Sequence, residues 1–170
     1  MKRVTFVTGP SCSGKTTVNE GLAGDESVSV FDVDEDGTPD AGALNWLAWR
    51  NEDLLYRAAN WSAETGIPCV VTGIIWPHKV IESTAMFAID PDVEIHFVML
   101  ELTKKRLTSR LRERLKHSDT PLTPLVDYNW HLQRRLLEQV THQRNGHIIR
   151  TDKWSPEMVV DCVRLIATKD

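Results

Sequence analysis

The chain has only three cysteines, Cys12, Cys69 and Cys162, among its 170 residues. An odd number without metal-like spacing argues against a disulfide framework or a cysteine-held metal. Long apolar runs are also missing, so no segment is expected to cross a bilayer. Met1-Lys2-Arg3 leads straight into the first apolar run, which leaves no room for a signal peptide and points to a cytoplasmic protein. Basic charge is not in excess. The formal net charge is −4, which gives no global attraction to nucleic acid. Internal repeats, low-complexity tracts and linkers are absent too, and 170 residues suit one domain with a sizeable core, spanning 1–170. Hydrophobic residues at 41% and charged residues at 26% match an ordinary globular chain, which excludes disorder.

What is present begins with Gly9-Pro10-Ser11-Cys12-Ser13-Gly14-Lys15-Thr16, between the apolar run Val4-Thr5-Phe6-Val7 and the residues Thr17, Val18 and Leu22. It reads as strand, phosphate loop, helix. Glycines let the backbone wrap so that successive N–H groups face phosphate oxygens, and the helix adds its positive N-terminal end. On this reading residues 9 and 11–17 hold a nucleotide, Lys15 reaches its β- and γ-phosphates, and the Thr16 hydroxyl ligates Mg²⁺.

The rest of the chain alternates strands with helices, the pattern of an α/β domain with a mainly parallel sheet. Val28-Ser29-Val30-Phe31 predicts a short strand ending in Asp32-Val33-Asp34, two carboxylates at the edge where open α/β sheets bind ligands. Leu44, Leu47, Leu54, Leu55, Ala58 and Trp61 recur at helical spacing and predict a helix over 43–65. Trp46 and Trp49 fall off that stripe and, with Arg57, are candidates to line an acceptor pocket. Residues 69–75 predict a strand buried on both faces, followed by a helix over 79–88 and a strand over 93–100 in which His96 reads as a core residue. A helix over 103–116 places Leu107, Leu111 and Leu115 on one stripe and Arg106, Arg110 and Arg114 on another. A Pro-containing hinge at 117–124 precedes a helix over 125–144 that Asn145-Gly146 is expected to cap. A strand over 147–151 and a helix opened by Ser155 and Pro156 complete the chain.

With these residues placed, the chain resembles the small-molecule branch of the P-loop kinases, which includes shikimate kinase, gluconate kinase and chloramphenicol phosphotransferase. The resemblance covers nearly the whole length and implies a three-layer P-loop NTPase fold, with a mainly parallel five-stranded sheet and a helical lid at about 103–135. Asp32-Val33-Asp34 looks like the paired aspartates of shikimate kinase, in which the first holds Mg²⁺ through water and the second meets the acceptor hydroxyl. Val70-Val71-Thr72-Gly73 resembles the Thr-Gly form of the Walker B strand, which implies acceptor contacts at Thr72 and Gly73. Arg110-Leu111-Arg112-Glu113-Arg114 resembles the lid signature, in which one Arg covers adenine and another contacts phosphate. Residues 151–157 are similar to the adenine loop, which implies nucleotide contacts at Asp152 and Trp154. The usual Gly-Gly after the third strand is here Gly73-Ile74, and the acidic stretch after Asp34 and the tryptophan-rich helix depart from the members named.

The expected activity is an ATP- and Mg²⁺-dependent phosphotransferase acting on a small-molecule hydroxyl, with Asp34 as general base and Lys15, Arg110 and Arg114 as transition-state cations. Two carboxylates and few cations on the acceptor side rank a nucleoside, sugar-like compound or antibiotic above a nucleotide. Alternatives are a nucleoside monophosphate kinase, a polynucleotide 5′-kinase, and a nucleotide-dependent switch or hydrolase. No Asn-Lys-x-Asp sequence supports a GTP switch. The expected partner is a small-molecule acceptor rather than nucleic acid or a membrane, with the protein a monomer or homodimer.

Overall fold

A computed structural model describes residues 2–33, 44–86 and 88–169, although the side chains of 44–51, 85 and 86 are not described. Five strands carry the fold: β1 (Arg3–Thr8), β2 (Ser29–Asp32), β3 (Cys69–Thr72), β4 (Glu94–Glu101) and β5 (Gly146–Arg150). They lie in the order β2-β3-β1-β4-β5, and every pairing is parallel. Between and after them run α1 (Lys15–Leu22), α2 (Leu44–Thr65), α3 (Pro77–Met86), α4 (Lys104–Arg114), α5 (Leu122–Thr141) and α6 (Pro156–Thr168).

The central strands are apolar on both faces, and alternation divides their side chains between two cores. Val4, Phe6, Cys69, Val71, Phe97 and Met99 face the core shared with Leu54, Leu55 and Ala58 of α2 and Leu132, Leu136 and Val140 of α5. Val7, Val70, Val98 and Leu100 face the other way, onto Val18 and Leu22 of α1 and Val159, Val160 and Val163 of α6. The result is three layers. Phe6 and Phe97 stack across the β1–β4 pair with centroids 5.7 Å apart, and each is 1% exposed. Burial of a side chain of this size contributes about 1.5–3 kcal/mol. A third, smaller core of Leu107, Leu111 and Val126 joins α4 to α5 beside the sheet.

Four local expectations are revised. β3 stops at Thr72 rather than running to residue 75, because the chain turns at Gly73, where the N–H donates to the Val7 carbonyl. α5 begins at Leu122, so Pro124 sits inside its first turn, where a missing N–H costs nothing. That shortens the hinge. Asn145-Gly146 does not cap α5, which ends at Thr141 with His142 as C-cap; instead the Asn145 carbonyl accepts from Phe97 N–H and opens the β4–β5 pairing. A Cβ on Gly146 would lie 2.0 Å from the Val140 carbonyl oxygen, so the helix end passes too close for any larger residue. Trp61, expected on the buried stripe of α2, is 44% exposed because the buried face of the helix runs through Leu55, Ala58, Ala59 and Ser62, and Trp61 stands beside it.

Candidate active site

Parallel pairing brings all five strand ends to one edge of the sheet, where the loop after β1, Asp32 and Thr72 lie. β1 ends at Thr8, and the next six residues form a loop whose final residue, Gly14, is the N-cap of α1 with φ 112°. No side chain caps α1. The first-turn N–H groups of a helix have no intrahelical acceptor, so this end offers unsatisfied donors and a positive dipole to an anion. Cys12 adopts a left-handed φ of 62°, unusual for a residue with a Cβ. Gly9 is required by space, since a Cβ there would lie 2.6 Å from Ser13 Oγ and 2.9 Å from the Leu100 carbonyl oxygen.

Over this loop lies a cleft of about 740 Å³, walled by residues 11–17, Ile74, Arg110, Arg114, Trp154 and Val159 among others. Lys15 Nζ donates to the carbonyls of Gly9 at 3.0 Å and Pro10 at 2.9 Å, so its ammonium stays over the loop. Arg110 reaches across from α4, and its Nη1 donates to the Cys12 carbonyl at 2.9 Å. Arg114 Nη1 lies 4.0 Å from Cys12 Sγ. The two stripes of α4 thus separate as the sequence suggests. Leu107 and Leu111 bury against α5 while Arg110 and Arg114 face the loop. Burial and the neighbouring Arg106 pull the Arg110 guanidinium below its ordinary pKa, with Asp152 acting the other way. A guanidinium stays cationic at neutral pH despite such a shift.

Asp32 ends β2 and accepts from Asn19 Nδ2 at 2.6 Å. Asn19 lies three residues beyond Thr16 on α1, hence on the same helical side, so the carboxylate is brought beside the first turn of the helix. The fit to Mg²⁺ and nucleotide phosphates rests on this donor set: a hydroxyl at Thr16, a carboxylate at Asp32 and an uncapped helix end. Among the described residues no group of three or more His, Cys, Asp or Glu side chains gathers as a self-sufficient metal cage. Mg²⁺ commonly takes only one or two protein ligands beside substrate phosphates. Ser13 Oγ and Thr72 Oγ1 are fully buried and have no hydrogen-bond partner among the described residues, two unsatisfied polar atoms at this edge of the sheet.

Other sequence-predicted residues are distributed as follows. Asp34 lies outside the described residues, as do the side chains of Trp46 and Trp49. Gly73 packs against Val33, whose Cβ would lie 2.6 Å from a Cβ at that position. Trp154 lines the cleft, whereas Asp152 lines a neighbouring groove with Lys104 and Trp130. Arg57 is not brought to the cleft. It sits 3.6 Å from Asp53 and over the Phe31 ring, in a separate surface groove with Tyr56 and Trp61. His96 is part-buried at the opposite half of β4, stacked on His147 with centroids 5.5 Å apart. Sequence reasoning missed Ile74, Val159 and Asn129. The last is 1% exposed, and its Oδ1 accepts from the Ser11 backbone N–H at 2.8 Å. A polar residue on the apolar side of a helix was its only signal.

No family model matches the chain, and neither does any curated protein. Solved structures do. A gluconokinase from Sinorhizobium meliloti aligns over 98% of this chain and 91% of its own, with TM-score 0.65 and 18% identity. A shikimate kinase from Bacteroides thetaiotaomicron aligns over 96% and 97%, with TM-score 0.64 and 16% identity. A tunicamycin resistance protein from Deinococcus radiodurans aligns over 96% and 94%, with TM-score 0.60 and 16% identity. The chain has the fold of the P-loop small-molecule kinases. Within that fold the loop after β1 and the arginine stripe of α4 meet at one cleft, and no described helix is long and apolar enough to cross a membrane.

Proposed function

We propose that the chain is an ATP- and Mg²⁺-dependent phosphotransferase acting on a hydroxyl of a small molecule. The observation that carries this is the Arg110 hydrogen bond to the phosphate loop: a separate helix delivers cations onto the donor site, as phosphoryl transfer needs. The acceptor oxygen attacks the γ-phosphorus, the bond to the ADP oxygen breaks, and the hydroxyl proton passes to the carboxylate of Asp34. Loop N–H groups among residues 12–17 hold the β- and γ-phosphates, and Lys15 exchanges its loop carbonyls for phosphate oxygens. Arg110 and Arg114 balance charge on the transferring group, while Trp154 and Val159 pack the base. Mg²⁺, held by Thr16 and Asp32, neutralises phosphate charge when bound. Thr72, Trp46 and Trp49 belong to the acceptor side.

Among the described side chains of α2, Arg57 is engaged with Asp53 and Phe31 and offers no cation to a second phosphate at the cleft, which supports a neutral or cationic acceptor over a nucleotide. The test is ADP formation from ATP with Mg²⁺ against nucleosides, sugars, aminoglycosides, nucleotides and 5′-hydroxyl oligonucleotides. Acceptor-dependent ADP formation with a neutral or cationic compound is expected. ATP hydrolysis unchanged by every acceptor would overturn the kinase in favour of a switch or hydrolase.

A further inference from the structure

We propose that Asn129 of α5 is a positioning residue of the donor site: it sets the path of the phosphate loop at Ser11 and Cys12. The proposal rests on the donor-site assignment made above. A buried amide needs partners for both its ends, and Asn129 has them. Its Oδ1 accepts from Ser11 N–H at 2.8 Å, and its Nδ2 donates to the Leu125 carbonyl at 2.9 Å, one turn earlier in the same helix. The second bond fixes which end of the amide faces the loop, so the acceptor is aimed at Ser11 by the helix itself.

The next residue, Cys12, is held from two further directions. Arg110 of α4 binds its carbonyl, and its side chain packs on the small α4–α5 core of Leu107, Leu111 and Val126. The left-handed φ of Cys12 is therefore enforced by contacts from outside the loop. Without the Asn129 acceptor, the half-buried Ser11 N–H loses its partner, and the loop must shift to find another. Such a shift would reorient the N–H groups that follow, the ones that meet phosphate.

One turn further along α5, Gln133 is equally buried and makes a paired clamp on Leu102, accepting from its N–H at 2.9 Å and donating to its carbonyl at 2.8 Å. This amide docks α5 on the end of β4 and does not touch the loop, which makes it the natural control. Both amides anchor the root of the α4–α5 pair to the sheet edge.

The experiment measures binding of ADP with Mg²⁺ by calorimetry, and thermal unfolding, for wild type, Asn129→Leu, Asn129→Ser and Gln133→Leu. The serine variant covers the case in which leucine prevents folding, since its hydroxyl is too short to span to Ser11. Loss of the buried bond is expected to weaken ADP binding by about tenfold or more in the Asn129 variants. Gln133→Leu is expected to lower the unfolding temperature about as much as the Asn129 variants do, while ADP affinity stays within about threefold. Wild-type affinity in a folded Asn129 variant would overturn the proposal, and so would equal losses of affinity at Asn129 and Gln133. Failure of wild type to bind ADP would overturn the donor-site assignment itself, and this inference with it.

Discussion

In the proposed reaction Lys15 serves the donor and Asp34 the acceptor, and single substitutions separate the two roles. Lys15→Ala is expected to abolish measurable phosphoryl transfer, as read by ADP release, because no other described side chain reaches the same loop carbonyls with an ammonium. Asp34→Asn is expected to lower turnover by about 10²-fold or more while ADP binding is nearly kept, the signature of a lost general base. Loss of ADP binding instead would assign Asp34 to metal or structure. Gly73 calls for a different experiment. Any Cβ there collides with the β-branched Val33, so Gly73→Ala is expected to destabilise the fold by about 1–3 kcal/mol, seen in urea unfolding. The structure thereby gives Gly73 a packing role independent of any acceptor contact.

At the scale of elements, α4 combines two functions because its stripes point at different neighbours. Its N-terminus is capped by Thr103, which accepts from Arg106 N–H, and its last turn carries Arg112 and Arg114 beside the negative end of the dipole. Arg110→Ala is expected to weaken ADP binding by about tenfold, the scale of a charge-assisted hydrogen bond, whereas the exposed Arg112→Ala should change it less than about twofold. Calorimetry on the two variants distinguishes a lid from a general basic track, since a track would lose comparable affinity at either position. The same helix shows how sequence becomes site. Leucines at 107 and 111 fix its rotation against α5, and that rotation alone turns Arg110 and Arg114 to the loop.

For the whole molecule, stability is expected to depend on pH through a pair of histidines remote from the cleft. His96 on β4 and His147 on β5 face each other with ring nitrogens 3.2 Å apart, with Arg3 of β1 and Glu94 of β4 around them. Burial first, then the Arg3 charge, pushes both imidazoles below their ordinary range, with Glu94 pulling His96 partly back. The folded state therefore binds fewer protons than the unfolded chain, so stability is present above a pH of about 6.5 and is lost as pH falls through the lowered folded values. Asp25, held at about 2 by Ser27 and Arg164, adds its own loss only below its ordinary 3.8. Urea midpoints at pH 7.5 and 5.5 are expected to differ in wild type and to converge in a His96→Gln, His147→Gln double variant. Legibility from sequence also divides by range. The phosphate loop, the parallel α/β class, the Asp32 edge and the two stripes of α4 were readable because each depends on neighbours within a few residues or on simple periodicity. The unexpected positions of Arg57, Trp61, Asn145 and Asn129 were not, because each depends on where an element ends or which distant backbone group lies opposite. The sequence by itself determined that a glycine-bounded loop and an uncapped helix follow the first strand of a parallel sheet, since glycine conformation and helix-end electrostatics are local. Only the tertiary structure decided which residues hold that loop in shape, since Arg110 and Asn129 reach it from residues about a hundred positions away, an approach set by packing that no local pattern records.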